Sequence, residues 1–113
     1  RNVDVYDPAT GAWSQGPALG GGGRTEGFGT SAFEVAGRIY YSGSSGRIFR
    51  LNDAGDAWEA IGGWGLPRLT HRLLPGLNDT ILAVGGNARG QAQTPNIEAV
   101  HINTTRPTAT ASN

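Results

Sequence analysis

VDVYDPATGAW, residues 3–13, decides the fold. Val3 and Val5 alternate with Asp4 and Tyr6, the two-residue period of a strand that sends successive side chains to opposite faces. Pro8 cannot donate to a ladder and ends the strand. Asp7 can bond its own turn backbone and Gly11 can take a positive φ. Trp13 then opens the next strand as a large packing element.

The same unit returns. YDPATGAW (6–13) lies without a gap over LNDAGDAW (51–58), 45 positions on, and each Trp follows its Tyr or Leu by seven. A second pair, RIYYSG (38–43) and TILAVG (80–85), is offset by 42 positions, each after a turn containing Gly37 or Asn78-Asp79. NIEAVH (96–101) repeats NVDVYD, with Glu98 at the place of Asp4 and Val100 at the place of Tyr6. Short strands and turns at this spacing indicate an all-β chain built as a β-propeller, in which each unit of about 40 to 50 residues is a four-stranded antiparallel blade.

Through VDVYDPATGAW, GRIYYSG, ILAVGG and the arginines Arg24 and Arg68 ahead of first strands, the chain resembles the kelch-repeat family over about residues 2–103. Ser42-Gly43 replaces a glycine doublet, Leu51-Asn52 replaces Tyr-Asp, and no Trp follows His101. Strands are expected at about 2–7, 12–17, 29–36, 38–43, 47–52, 57–62, 70–76, 80–85 and 97–102. The organisation reads as the end of a blade and a connecting loop (1–28), a complete blade (29–67), an incomplete blade (68–103) and a Thr/Ala-rich tail (104–113). About two blades cannot close a ring, so the chain is expected to be part of a larger or multi-chain propeller. Trp13 and Trp58 are expected to be equivalent, each packed between sheets, and Ile39, Ile81 and Trp58 to be partly wet.

Nine acids balance nine Lys and Arg residues in 113, so no bulk field draws the chain to nucleic acid or an anionic membrane. No apolar run approaches the length of a membrane-spanning helix. Cysteine is absent, which removes disulfides and thiolate chemistry from these residues.

Catalytic signals are sparse. His71 and His101 are 30 positions apart on different strands, without metal-ligand spacing. RLTHRLLP (68–75) is similar to the segment of galactose oxidase-type copper enzymes in which a Tyr-His pair precedes LLP and ligates copper. That resemblance implies a ligand position at His71, but Thr70 stands where the tyrosine would be. GGGGRTEGFG (20–29) lacks the Lys-Ser or Lys-Thr of a phosphate loop and reads as a connection between blades. No G-x-S-x-G nucleophile motif is present.

NDT (78–80) and NTT (103–105) are acceptor triplets for N-linked glycans on Asn78 and Asn103, which points to secretion or a cell surface. The resulting expectation is a non-catalytic segment without a cofactor, serving protein binding or extracellular structural assembly. Its expected partners are another protein, or other copies or segments of the same propeller, with glycans as a further class. Arg24, Phe28, Arg68, His71, Arg72 and Arg89 are the expected partner-binding residues, because arginine and aromatic side chains dominate interface hot spots. The alternative is part of a galactose oxidase-like copper or carbohydrate-active enzyme.

Overall fold

The computed structural model describes residues 1–88 and 93–102. Among these the chain is all-β, with no helix, and its sheets are antiparallel. A hairpin of β1 (Asp4–Asp7) and β2 (Ala12–Gln15) comes first. The Asp7 carboxylate accepts the Ala9 N–H at 2.9 Å, and Gly11 turns the chain at φ 71°. The roles read for Asp7 and Gly11 are those the hairpin uses.

A four-stranded meander follows: β3 (Ser31–Val35), β4 (Arg38–Ser42), β5 (Arg47–Leu51) and β6 (Trp58–Gly63), in sequence order. Ala36 and Gly37, both at positive φ, make the two-residue turn between β3 and β4. This local chemistry suits the right-handed twist of the strands it joins. Between β5 and β6, Asn52 Oδ1 accepts the N–H groups of Asp56 and Ala57, which is the part Asp7 plays in the first hairpin.

The 45-residue repeat is preserved as register. Tyr6 faces Trp13 and Leu51 faces Trp58; Val5 faces Ser14 and Arg50 faces Glu59. A bulge at Ile61 interrupts the second ladder, since Ile48 pairs with Gly62 while Phe49 pairs with Ala60.

Two short strands that sequence pattern does not signal, β7 (Arg68–Leu69) and β10 (Asn87–Ala88), pair with each other. Between them in the chain lie β8 (Arg72–Pro75) and β9 (Thr80–Val84). With β11 (Ile97–His101) these form a three-stranded sheet ordered β11-β9-β8. Asn78 and Asp79 take positive φ at the positions of Ala36 and Gly37. The register nevertheless shifts by one residue, because Pro75 pairs with Ile81 while Gly76 N–H donates to Thr80 O.

The core lies between the three- and four-stranded sheets. Tyr40, Ile48, Trp64, Leu73, Ile81, Ala83 and Ile102 are its buried members, with Phe33, Val35, Ile61 and Val100 packed against them. Each fully buried aliphatic side chain stabilises the fold by roughly 1.5–3 kcal/mol. First strands stand side by side, and Leu73 N–H of β8 donates to Ser31 Oγ of β3 at 3.0 Å. Trp64 seals the sheets from the connecting segment, its indole N–H donating to Ser42 Oγ at 2.7 Å.

Several packing expectations are corrected. Trp13 is 70% exposed, because its two-stranded hairpin has no described sheet over that face. Trp58 is half-buried, set edge-on to Tyr41 at 4.7 Å with its indole N–H on Pro17 O. The two are equivalent in register and not in burial. Ile81 is fully buried rather than wet, and Ile39 is 44% exposed. Accordingly, Trp58→Ala should cost about 2 kcal/mol, below the range for a fully buried Trp, and Trp13→Ala within about 0.5 kcal/mol. Urea midpoints of the two variants check this; equal losses would contradict the packing.

Candidate functional site

Chemistry-bearing side chains gather where the two sheets' loops meet. The 42-residue offset places Glu26 and Arg68 at the same point of successive units, and both are buried, at 0% and 1% exposure. They carry opposite charges and fasten their loops in opposite senses.

Glu26 sits in the turn closing the glycine-rich connection. Its carboxylate accepts Ser45 N–H at 3.1 Å and the hydroxyls of Ser45 and Ser44 at 3.2 and 3.3 Å. The glycines around it leave room for this: a Cβ on Gly21 would lie 2.2 Å from the Glu26 carboxyl carbon, and one on Gly43 would lie 2.7 Å from its backbone oxygen. GGGGRTEG is thus packed around a buried carboxylate that holds the β4–β5 loop.

Arg68 works by donation. Its guanidinium reaches Leu66 O at 3.1 Å, Gly85 O at 3.2 Å and Asn96 O at 2.8 Å, and pairs with the Glu98 carboxylate. Glu98 also accepts the N–H groups of Gly65 and Leu66, at 2.8 and 3.1 Å. One buried cation therefore ties the connecting segment, the end of β9 and the approach to β11 together.

Between the two locked loops opens a cleft of about 710 Å³. One wall carries the hydroxyls of Thr25, Ser44 and Ser45; the other carries Leu66, Pro67 and Leu69, with Asn87 and Ala88 beside them. Among the described residues Arg68 is the one ionisable side chain that lines it, and its guanidinium is engaged. The space suits an uncharged ligand with hydrogen-bonding groups on one side and apolar surface on the other. A second hollow of about 190 Å³, at the opposite end of the meander, is bordered by the Arg38–Asp53 ion pair, 3.3 Å apart.

The expected binding residues separate into two sets. Arg24, Phe28 and Arg72 are exposed, and Phe28 is 67% so. Arg68 and His71, at 1% and 2% exposure, are not presented on a rim: Arg68 stands on β7, which pairs with β10, and His71 lies between β7 and β8. Asn78 is exposed in its turn, as a glycan acceptor requires. Arg89 and Asn103 lie outside the described residues.

His71 has no hydrogen-bond partner on either ring nitrogen among the described residues. Burial first, and the Arg68 charge second, push its pKa down to about 4. Thr70 takes φ 57°, and its hydroxyl lies within donating distance of Leu69 O and Asn87 Oδ1, at 2.7 and 2.8 Å. Among the described residues no group of three His, Cys, Asp or Glu side chains could hold a metal ion. The chain matches no protein-family model and no curated protein. No described helix is long and apolar enough to cross a membrane.

Glu26 and Glu98 are the functional-looking residues whose part the sequence hid. The 42-residue offset put Glu26 over Arg68, and that alignment of two charged residues was the available signal. Glu98 was visible only as the counterpart of Asp4.

Proposed function

We propose that the chain is a non-catalytic segment of a kelch-type β-propeller that binds a protein partner through the loops where successive units meet. The observation that carries this reading is the cleft held open between the Glu26 and Arg68 locks, whose described lining is hydroxyl, amide and aliphatic apart from the engaged Arg68. The adjacent four- and three-stranded meanders, joined first strand to first strand, support the blade reading. Glu26 and Arg68 are engaged in holding loops, which leaves recognition along the cleft to hydroxyls, amide and aliphatic groups. Exposed Arg24, Phe28 and Arg72 supply further contact chemistry on the loops and first strand of the same units. Exposure of Asn78 supports an extracellular setting and assembly among secreted chains.

The copper-oxidase alternative gains little. A cation at His71 would be repelled by the neighbouring Arg68 charge, and Thr70 uses its hydroxyl within the turn.

Selection of a displayed peptide library on the protein tests the binding reading. Enriched peptides should be uncharged at their centre and lose roughly tenfold or more in affinity on Leu69→Asp, which places a charge in the cleft. Peptides indifferent to Leu69→Asp, or copper-dependent oxidation of a primary alcohol by the protein, would overturn it.

A further inference from the structure

The hydroxyl wall of the cleft has a direction. Glu26, fully buried behind it, carries a carboxylate that has lone pairs and no proton to give. The Ser44 hydroxyl lies 3.3 Å from one carboxylate oxygen and the Ser45 hydroxyl 3.2 Å from the other. Each serine therefore turns its single proton towards the charge, where a hydrogen bond is strongest. Thr25 Oγ1 stands 2.9 Å from Ser44 Oγ. Because the Ser44 proton is committed to Glu26, Thr25 is the donor between those two hydroxyls.

All three hydroxyl protons are thus committed within the wall, and what the wall offers an occupant is lone pairs. Ser44 Oγ already receives the Thr25 proton, and Ser45 Oγ receives the Arg47 N–H at 3.3 Å. Thr25 is exposed, and its hydroxyl oxygen receives no hydrogen bond from the described residues. It is the most available acceptor of the three. The facing wall is aliphatic, built from Leu66, Pro67 and Leu69.

An occupant that matches both walls has a hydrogen-bond donor, no acceptor to set against lone pairs, and a broad apolar body. A carboxylate has no donor. Side-chain amides and the tyrosine hydroxyl carry an acceptor together with the donor. Lysine or arginine would bring a second cation beside Arg68, and would leave water without a carboxylate to meet, since Glu26 is enclosed. The tryptophan indole meets all three conditions, with one N–H, no acceptor and a large apolar ring system. The chain makes the same pairing in its own interior, where the Trp64 indole N–H donates to Ser42 Oγ.

We infer that the cleft is the anchor site for a tryptophan side chain of the protein partner, its indole N–H donating to Thr25 Oγ1 and its rings lying against Leu66, Pro67 and Leu69. The inference rests on the protein-binding reading and adds the chemistry of the partner's central residue. The cleft, about 710 Å³, holds the indole with room for the backbone that carries it.

Titration of the intact chain with acetyl-Ala-Trp-Ala-amide, and with the same peptide carrying naphthylalanine in place of Trp, tests it through the methyl resonances of Leu66 and Leu69. Naphthalene has nearly the size of indole and no N–H. Both peptides should shift these resonances saturably, and the tryptophan peptide should bind about three- to tenfold more tightly, the worth of one hydrogen bond between neutral groups. Thr25→Val should erase that ratio, and Thr25→Ser, which keeps the hydroxyl, should retain it. Equal affinities for the two peptides, a ratio that survives Thr25→Val, or no shift at Leu66 and Leu69 would overturn the inference. Equal affinities that Leu69→Asp still weakens would remove the tryptophan anchor and leave the protein-binding reading standing, whereas that reading falls on the library selection.

Discussion

Arg68→Ala should cost about 3–5 kcal/mol, the range for removing one member of a buried ion pair. The loss has two physical parts. Glu98, only 26% exposed, would keep its negative charge with two backbone N–H donors and no cation. The carbonyls of Gly85, Asn96 and Leu66 would lose their donor, and each enclosed unsatisfied acceptor costs about 1–3 kcal/mol. Arg68→Met with Glu98→Gln should recover part of the loss, because the residual charge is gone while the carbonyls stay unpaired. Chemical denaturation of the two variants decides it. A loss under 1 kcal/mol in Arg68→Ala, a bound taken from exposed ion pairs, would mean that the guanidinium is solvated and the lock does not exist.

Acid should weaken the fold through His71 well before general carboxylate protonation is complete. The imidazole is neutral in the folded chain down to a pKa of about 4, against an ordinary value of 6.5 once unfolded. Between those values the unfolded chain binds the extra proton, so stability is complete above pH 6.5, declines as pH falls, and has lost its His71 contribution below pH 4. The depression corresponds to about 3 kcal/mol. Burial is the larger cause and the Arg68 charge the smaller. Arg68 is itself compensated by Glu98, so the limb should extend to lower pH if Glu98 is neutralised. His71→Leu should flatten the limb between pH 6.5 and 4 in denaturation curves measured across pH. A limb of unchanged slope in that variant would assign it to other groups.

Much of the fold was legible because its signals are local. Alternation in DVYD and RIYYS, the turn residues at Asp7, Gly11, Gly37 and Asn52, and the gapless recurrence of Trp after seven positions gave nine strands in order, and the structure has strands at all nine. The short strands holding Arg68 and Ala88 escaped because two residues are too few to carry a period.

The candidate site was legible only in part. Arg24, Phe28, Arg68, His71 and Arg72 were grouped by residue type and nearness to first strands, and type does not report burial. An arginine beside a first strand reads alike whether its guanidinium meets water, as at Arg24, or three carbonyls and a carboxylate, as at Arg68.

The amino-acid sequence by itself determined the strand order, the turns and the register partners of the repeat, since each depends on residues a few positions apart. Tertiary structure alone decided which member of each repeated pair is covered. Trp13 and Trp58 share a local sequence and a register, yet residues 17–20 fold over Trp58 and its neighbours while no described segment covers Trp13. Glu26 and Arg68 share a position and a burial, yet one is met by serine donors and the other by carbonyls and Glu98. Burial and hydrogen-bond partners come from segments distant in the chain, and a repeat fixes where a side chain stands without fixing what arrives to meet it.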